Sequence, residues 1–223
     1  MMRVNKYLAE KNIASRREAD ALVAAGKVFI NGKKAELGAQ VSETDMVEVR
    51  NNTKEYAYFA YNKPKGIVTS TPQRGEIDIV HHTKFPTKVF PVGRLDKDSH
   101  GLIILTNDGR VTKKLLDPEA EHEKEYEVEV DEPITAEFLK DMSGGVEIET
   151  NKKVKHDTKP AKLKKLGAKK FSIILTEGKN RQIRRMCEVL GYEVVDLKRI
   201  RIGKVLLGSL KIGEYKKIQP ESL

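Results

Sequence analysis

The chain of 223 residues has no tryptophan, a single cysteine and no long hydrophobic run. With Cys187 alone, one chain cannot close an internal disulfide or build a cysteine-based metal cluster, and such usage suits a reducing compartment. No apolar stretch approaches the roughly 20 residues needed to span a bilayer. Met1 to Glu10 is charged from the outset and lacks the apolar core of a secretory signal. Together these absences predict a cytoplasmic protein with no membrane partner. Aromatic residues are scarce too, at seven tyrosines and six phenylalanines, so each one carried on a motif is informative.

Charge is what the chain has in quantity. Charged residues make up 34% and hydrophobic ones 39%, which fits a globular protein with a modest core in one large or two smaller domains. The net charge of +9 is unevenly spread. Residues 1–50 carry 9 Lys and Arg against 7 Asp and Glu, residues 51–150 carry 13 against 19, and residues 151–223 carry 20 against 7. A basic final third beside an acidic middle points to a polyanionic partner, nucleic acid above all. An anionic membrane fits less well, because no strongly amphipathic, aromatic-bearing helix accompanies the basic segments.

Residues 2–11 place Val4, Tyr7 and Leu8 on one helical face, with Arg3, Lys6 and Lys11 elsewhere around it. Ser15-Arg16-Arg17-Glu18 is a capping box that starts a second helix, and Gly26 ends it in the manner of a left-handed cap. Lys27 to Ile30 reads as a strand, Asn31-Gly32 as a hairpin turn, and Met46 to Val49 as a closing strand. Arg16 and Arg17 occupy a first helical turn, where acidic residues would suit the dipole better; an anionic partner would offset that cost. This order of elements resembles the alpha-L RNA-binding motif. The resemblance implies that Arg3, Lys6, Arg16, Arg17 and Lys27 contact RNA. Polar, aperiodic residues follow, so the expected layout is an RNA-binding domain over 1–50, a linker over 51–56 and a second domain over 57–223.

In the second part, Tyr56 to Tyr61 reads as an aromatic strand stopped by Pro64, and Ile67 to Ser70 as its resumption after a turn at Gly66. Residues 71–89 read as loop, and His81 and His82 within it lack a third ligand, so no metal site is expected. Gly93-Arg94-Leu95-Asp96-Lys97-Asp98-Ser99-His100-Gly101 is a polar loop feeding the apolar run Leu102 to Leu105, a common setting for a site. Glu123 to Val130 alternates as a strand with Tyr126, Val128 and Val130 on one face. Pro133 to Met142 reads as a helix, residues 152–170 as a lysine-rich loop, and Phe171 to Leu175 as a strand. Asn180 is placed to cap a helix from Arg181 in which Ile183, Met186, Cys187 and Leu190 face the core. Arg181, Arg184 and Arg185 crowd the positive end of that helix, which calls for an anion opposite. Short strands interrupted by helices predict an α+β fold with a mixed, mainly antiparallel sheet.

Four patches, in order, resemble the pseudouridine synthases of the RsuA and RluF type. They are Asn62-Lys63-Pro64-Lys65-Gly66, Gly93-Arg94-Leu95-Asp96, Glu123-Lys124-Glu125-Tyr126 and Gly178-Lys179-Asn180-Arg181-Gln182-Ile183-Arg184-Arg185-Met186. Details around Lys97 to Leu102 look most like the RluF branch, which acts on large-subunit ribosomal RNA; His100 departs from it, where glutamine is expected. The resemblance implies that Asp96 is the catalytic aspartate and that Arg184 pairs with it. Arg94 helps hold a flipped nucleotide, and Tyr126 stacks on the uracil. Lys63, Lys179, Arg181 and Arg185 join the RNA contacts. It implies a monomer that needs no cofactor or metal, since the isomerisation oxidises nothing and releases no group. Read without the resemblance, Asp96 and Asp98 also fit an Asp-x-Asp phosphohydrolase or transferase. That chemistry needs Mg²⁺ and a phosphate cradle, and the loop offers neither a glycine-rich nest nor a third carboxylate. A non-catalytic RNA-binding or ribosome-assembly factor is another alternative, as is the same reaction on small-subunit ribosomal RNA; a structurally similar tRNA site is a further candidate target.

Overall fold

A computed structural model describes residues 1–50, 55–117, 121–151 and 153–223. The expected linker falls largely on residues 51–54 and so lies outside the described residues. Two compact units are distinguished, one of Met1–Ala57 with Asn107–Lys114, the other of Tyr58–Thr106 with Leu115–Leu223.

In the first unit, β1 (Met2–Arg3) runs into α1 (Val4–Glu10), and α2 (Arg16–Ala24) follows. The Ser15 side chain accepts from Glu18 N while Glu18 reaches back to Ser15 N, so the capping box forms as expected. β2 (Val28–Ile30) and β3 (Lys33–Lys34) make a two-residue hairpin. Asn31 and Gly32 have φ of 49° and 78°, the positive pair that this turn demands. β4 (Gln40–Val41) pairs with β1, and β5 (Val47–Val49) completes a sheet of order β3-β2-β5. Val4, Leu8, Ala19, Leu22, Val23 and Val28 form the core between the two helices and this sheet.

The second unit is built on one nine-stranded sheet. Its elements run β6 (Tyr58–Lys63), α3 (Ile79–His82), β7 (Phe90–Val92) and β8 (His100–Thr106). The chain then passes through α4 (Gly109–Leu116), most of which belongs to the first unit, and continues in the second with β9 (Lys124–Val130), α5 (Ala136–Gly144), β10 (Glu147–Glu149) and β11 (Lys155–Asp157). Then come β12 (Lys162–Lys165), β13 (Lys170–Leu175), α6 (Gln182–Val189), β14 (Val194–Ile202), β15 (Val205–Leu206) and β16 (Tyr215–Lys217). The strand order is β12-β13-β9-β14-β8-β6-β16, with β15 on β14 and β7 on β8. Every pairing in it is antiparallel except β14 with β8, so the sheet is mixed and mainly antiparallel. Val128, Phe138, Met142, Phe171, Met186 and Cys187 lie in the core between the sheet and α5 and α6. Burial there pushes the Cys187 thiol up to about 12, so it stays protonated and inert.

Four sequence expectations change. Ile67 to Ser70 forms no strand and contributes only a single bridge, Val68 to Asp78. Asp78 then caps the short α3, accepting from His81 N, so His81 and His82 lie on a helix where a loop was expected. The lysine-rich stretch holds β11 and β12: in β12 the half-buried Leu163 packs against the core while the three lysines are exposed, a pattern that lysine density conceals. The helix that was to start at Pro133 begins at Ala136, with Thr135 accepting from Phe138 N as its cap.

Gly101 fixes how closely β8 approaches β14. Its φ is +103°, and a Cβ there would lie 2.8 Å from the Arg199 nitrogen and closer still to the Arg199 carbonyl oxygen. Gly101→Ala should therefore lower unfolding stability by roughly 2–4 kcal/mol, the combined effect of a left-handed alanine and a backbone clash. Urea denaturation checks this as a lower midpoint with an unchanged slope.

Candidate active site

The loop between β7 and β8 is held from beneath by a buried cation. Lys63 is 0% exposed, and its Nζ donates to the carbonyl oxygens of Pro64 (3.0 Å), Asp96 (3.0 Å) and Ser99 (2.8 Å). Burial pulls this ammonium down to about 8 against the opposing pull of Asp96 and Asp98, so it remains charged at neutral pH. Thr69 adds a second tie, donating to Leu95 O at 2.6 Å and accepting from Leu95 N at 3.0 Å. Ser99 N closes the turn onto Asp96 O at 3.1 Å. With the loop's carbonyls turned inward, the half-exposed Asp96 carboxylate is left on a cleft of about 850 Å³. Lys63 was expected to contact RNA; it is instead enclosed by the loop it supports.

From α6 come the arginines, in an arrangement the sequence did not foretell. The helix starts at Gln182, and Arg181 precedes it in the left-handed conformation at φ 52° with no side-chain cap. Asn180 is therefore not the cap. Gln182 orders this entry instead, accepting from Lys179 N at 3.0 Å and donating to Glu177 Oε1 at 2.7 Å. Arg184 pairs with Asp98 (3.3 Å), not with Asp96. The reason is that Arg184 Nη1 is committed to Val194 O at 2.9 Å, which holds the guanidinium on the Asp98 side of the loop. Arg181 bridges the two carboxylates, 3.0 Å from Asp98 and 4.0 Å from Asp96. Arg185 donates to Glu149 O and Asn151 Oδ1, bracing the chain that leaves β10.

Across the cleft, β9 and β14 present Lys124, Tyr126, Leu197 and Arg199. Tyr126 and Arg199 are register partners, so they share one face of the sheet. Arg199 is 4% exposed and was not singled out from sequence. Its signal was a cation two residues from Leu197, where alternation calls for an apolar side chain. Burial, and then the Arg199 charge, lower the Lys124 ammonium. Glu177 closes the far wall: burial works to raise its carboxyl, but bonds from Lys159 N, His156 and Gln182 outweigh it and hold it below the usual range. Arg94 and Lys179 are exposed on the cleft rim. His100 is turned aside, its Nε2 3.0 Å from Asp196, which Lys65 also meets at 2.5 Å. In the first unit Arg3, Lys6, Arg16 and Arg17 are exposed, and Lys27 is half-buried. Among the described residues no cluster of three or more His, Cys, Asp or Glu could hold a metal ion, and no helix is long and apolar enough to cross a membrane.

Residues 57–189 match the family model of RNA pseudouridylate synthases, and residues 2–47 match the S4 domain. The chain belongs to the RNA pseudouridylate synthase family. It is 47% identical to the dual-specificity RNA pseudouridine synthase RluF of Escherichia coli (strain K12), an alignment covering 100% of this chain and 77% of that protein. To the ribosomal large subunit pseudouridine synthase B of Bacillus subtilis it is 37% identical, over 100% of this chain and 94% of the relative. A crystal structure of a pseudouridylate synthase superposes with a TM-score of 0.72 at 31% identity, covering 99% of this chain and 97% of that one. The protein is thus an isomerase of the RluF type that converts uridine to pseudouridine in RNA.

Two measurements follow from the geometry around Asp96. Lys63→Met leaves three carbonyl oxygens without their donor, at about 1–3 kcal/mol each, so urea denaturation should show a stability loss of roughly 3 kcal/mol or more. A double-mutant cycle on stability between Arg184→Ala and Asp98→Asn should give a coupling of about 0.5–1 kcal/mol, modest because Asp98 is half open to solvent. The same cycle between Arg184→Ala and Asp96→Asn should give a coupling near zero, and a larger one there would reverse the pairing.

Proposed function

We propose that the chain isomerises a uridine of large-subunit ribosomal RNA in the cytoplasm, with Asp96 as the catalytic carboxylate. One observation carries this reading: a half-exposed carboxylate on a roomy cleft, with Tyr126 among its lining residues and Arg181 4.0 Å away. The cleft admits a nucleotide taken out of its stack, which costs a few kcal/mol. Tyr126 offsets part of that cost by stacking on the uracil, worth about 1–3 kcal/mol. Arg94, at the rim, holds the displaced nucleotide. Asp96 then acts on the sugar or the ring as the bond from N1 to C1′ breaks, and the turned ring rejoins C1′ through C5. Arg181, Lys179 and the first-unit cations Arg3, Lys6, Arg16, Arg17 and Lys27 contact the RNA backbone, and the protein works as a monomer. The large-subunit target is supported by the Bacillus subtilis relative, whose name gives that substrate class, while the dual-specificity relative keeps a second RNA in view.

The reaction frees the proton on C5, so RNA tritiated there reports it directly. Large-subunit fragments should release tritium to water with the wild-type protein. Asp96→Asn should lower the rate at least about a thousandfold with RNA affinity nearly unchanged. Tyr126→Ala should lower it about 10- to 100-fold. Release from small-subunit fragments alone would move the target, and a fully active Asp96→Asn would remove Asp96 from the chemistry.

A further inference from the structure

Arg199 holds a donor that no group among the described residues accepts. Its Nε donates to Leu102 O at 2.7 Å and its Nη1 to Arg94 O at 3.4 Å, whereas Nη2 is buried and has no partner among the described residues. A guanidinium keeps its charge at any accessible pH, so this donor cannot be neutralised by losing a proton. Leaving a charged donor unmet inside a protein is costly, and such atoms call for an explanation. Its surroundings supply one. Arg199 lines the same cleft as Asp96 and lies directly across the β9–β14 ladder from Tyr126. Lys124, two residues before Tyr126 on β9, adds a second cation to the same lining. The exposed cations Arg94, Lys179 and Arg181 occupy the rim, where a phosphate backbone would stay in water. The buried end of the cleft is left to the base.

We propose that Arg199 Nη2 donates to a carbonyl oxygen of the target uracil and stabilises the negative charge that this oxygen gains during the reaction. The inference rests on the reading above, in which Asp96 and Tyr126 hold the uridine in this cleft. When the N1–C1′ bond breaks, its electron pair stays with the ring and spreads from N1 onto O2 and O4. C1′ is meanwhile taken by an Asp96 oxygen, or C2′ gives a proton to it. The turned ring uses a ring electron pair to bond C5 to C1′, which releases the carboxylate or recovers the proton. C5 then loses its proton to water and N1 gains one. If Asp96 instead adds to C6, the pair displaced by that addition comes to rest on O4. Each route makes a uracil carbonyl anionic for a time, and nothing is oxidised. A fixed cation in a dry wall stabilises such a charge without reorganising. Arg199 is in this sense a catalytic residue, distinct from Lys63, whose ammonium meets backbone carbonyls.

The test pairs protein variants with single-atom changes in the RNA. The full-length protein is given a tritiated fragment whose target uridine carries oxygen, 2-thio or 4-thio substitution, sulfur being a poor acceptor. Wild type should lose about 100-fold in turnover on one of the two thio-RNAs. Arg199→Met should lose a similar factor on unmodified RNA and show little further loss on that thio-RNA. Arg199→Lys, which keeps a cation and one donor for Leu102 O, should likewise lose the thio effect and guards against a variant that folds poorly. Independent, multiplying losses for both thio-RNAs in both variants would overturn the proposal, leaving Arg199 as a tie for Arg94 and Leu102 or as the partner of a buried water. If unmodified RNA releases no tritium with wild type, the underlying reading fails and this one with it. If release occurs and depends on Asp96 while the thio losses multiply, only the Arg199 contact is lost.

Discussion

A buried ammonium surrounded by backbone carbonyls is the constraint on which the loop that carries Asp96 depends. Lys63 is enclosed at the end of β6, and burying a charge is tolerable only when its donors are met. Pro64, Asp96 and Ser99 meet them, and Arg199 takes the carbonyls of Arg94 and Leu102 on the other side. Four carbonyls between positions 94 and 102 thus point at two buried cations. A loop so held has its peptide dipoles directed inward, which leaves the Asp96 side chain to the cleft. The sheet makes this possible: the parallel pairing of β8 with β14 sets Gly101 beside Arg199, and the missing side chain at Gly101 admits the Arg199 backbone.

Much of this was legible in the sequence because local rules and burial agreed there. The capping box at Ser15, the Asn31-Gly32 hairpin and the alternation from Lys124 to Val130 each combine a turn or period with an apolar face. What failed to show was set by partners distant in the chain. Three of the four residues of β12 are lysine, and it becomes a strand because β13 pairs with it, so its composition could not announce it. Asn180 had the right chemistry for a cap, but Gln182 reached Lys179 N first and Arg181 took the left-handed turn. Lys63, in the patch Asn62 to Gly66, was expected among the RNA contacts; only the folded loop reveals the three carbonyls around it. Arg199 broke the apolar period of its strand, which marks a residue retained for something other than packing.

The same distinction bears on Asp98. By sequence, Asp96 and Asp98 are two carboxylates in one loop, and a salt bridge from Arg184 could serve either. A carboxylate gripped closely by a guanidinium has its lone pairs occupied by donors, which suits an anchor better than a group that must attack carbon or take a proton. The structure holds the two carboxylates differently. Asp98 receives Arg181 and Arg184 and so ties the loop to α6. Asp96 stands 4.0 Å from Arg181 and keeps its half-exposed carboxylate on the cleft. A loop fastened through one aspartate frees the other. The proposed chemistry at Asp96 therefore depends on Asp98 taking the arginine that sequence resemblance would have given to Asp96.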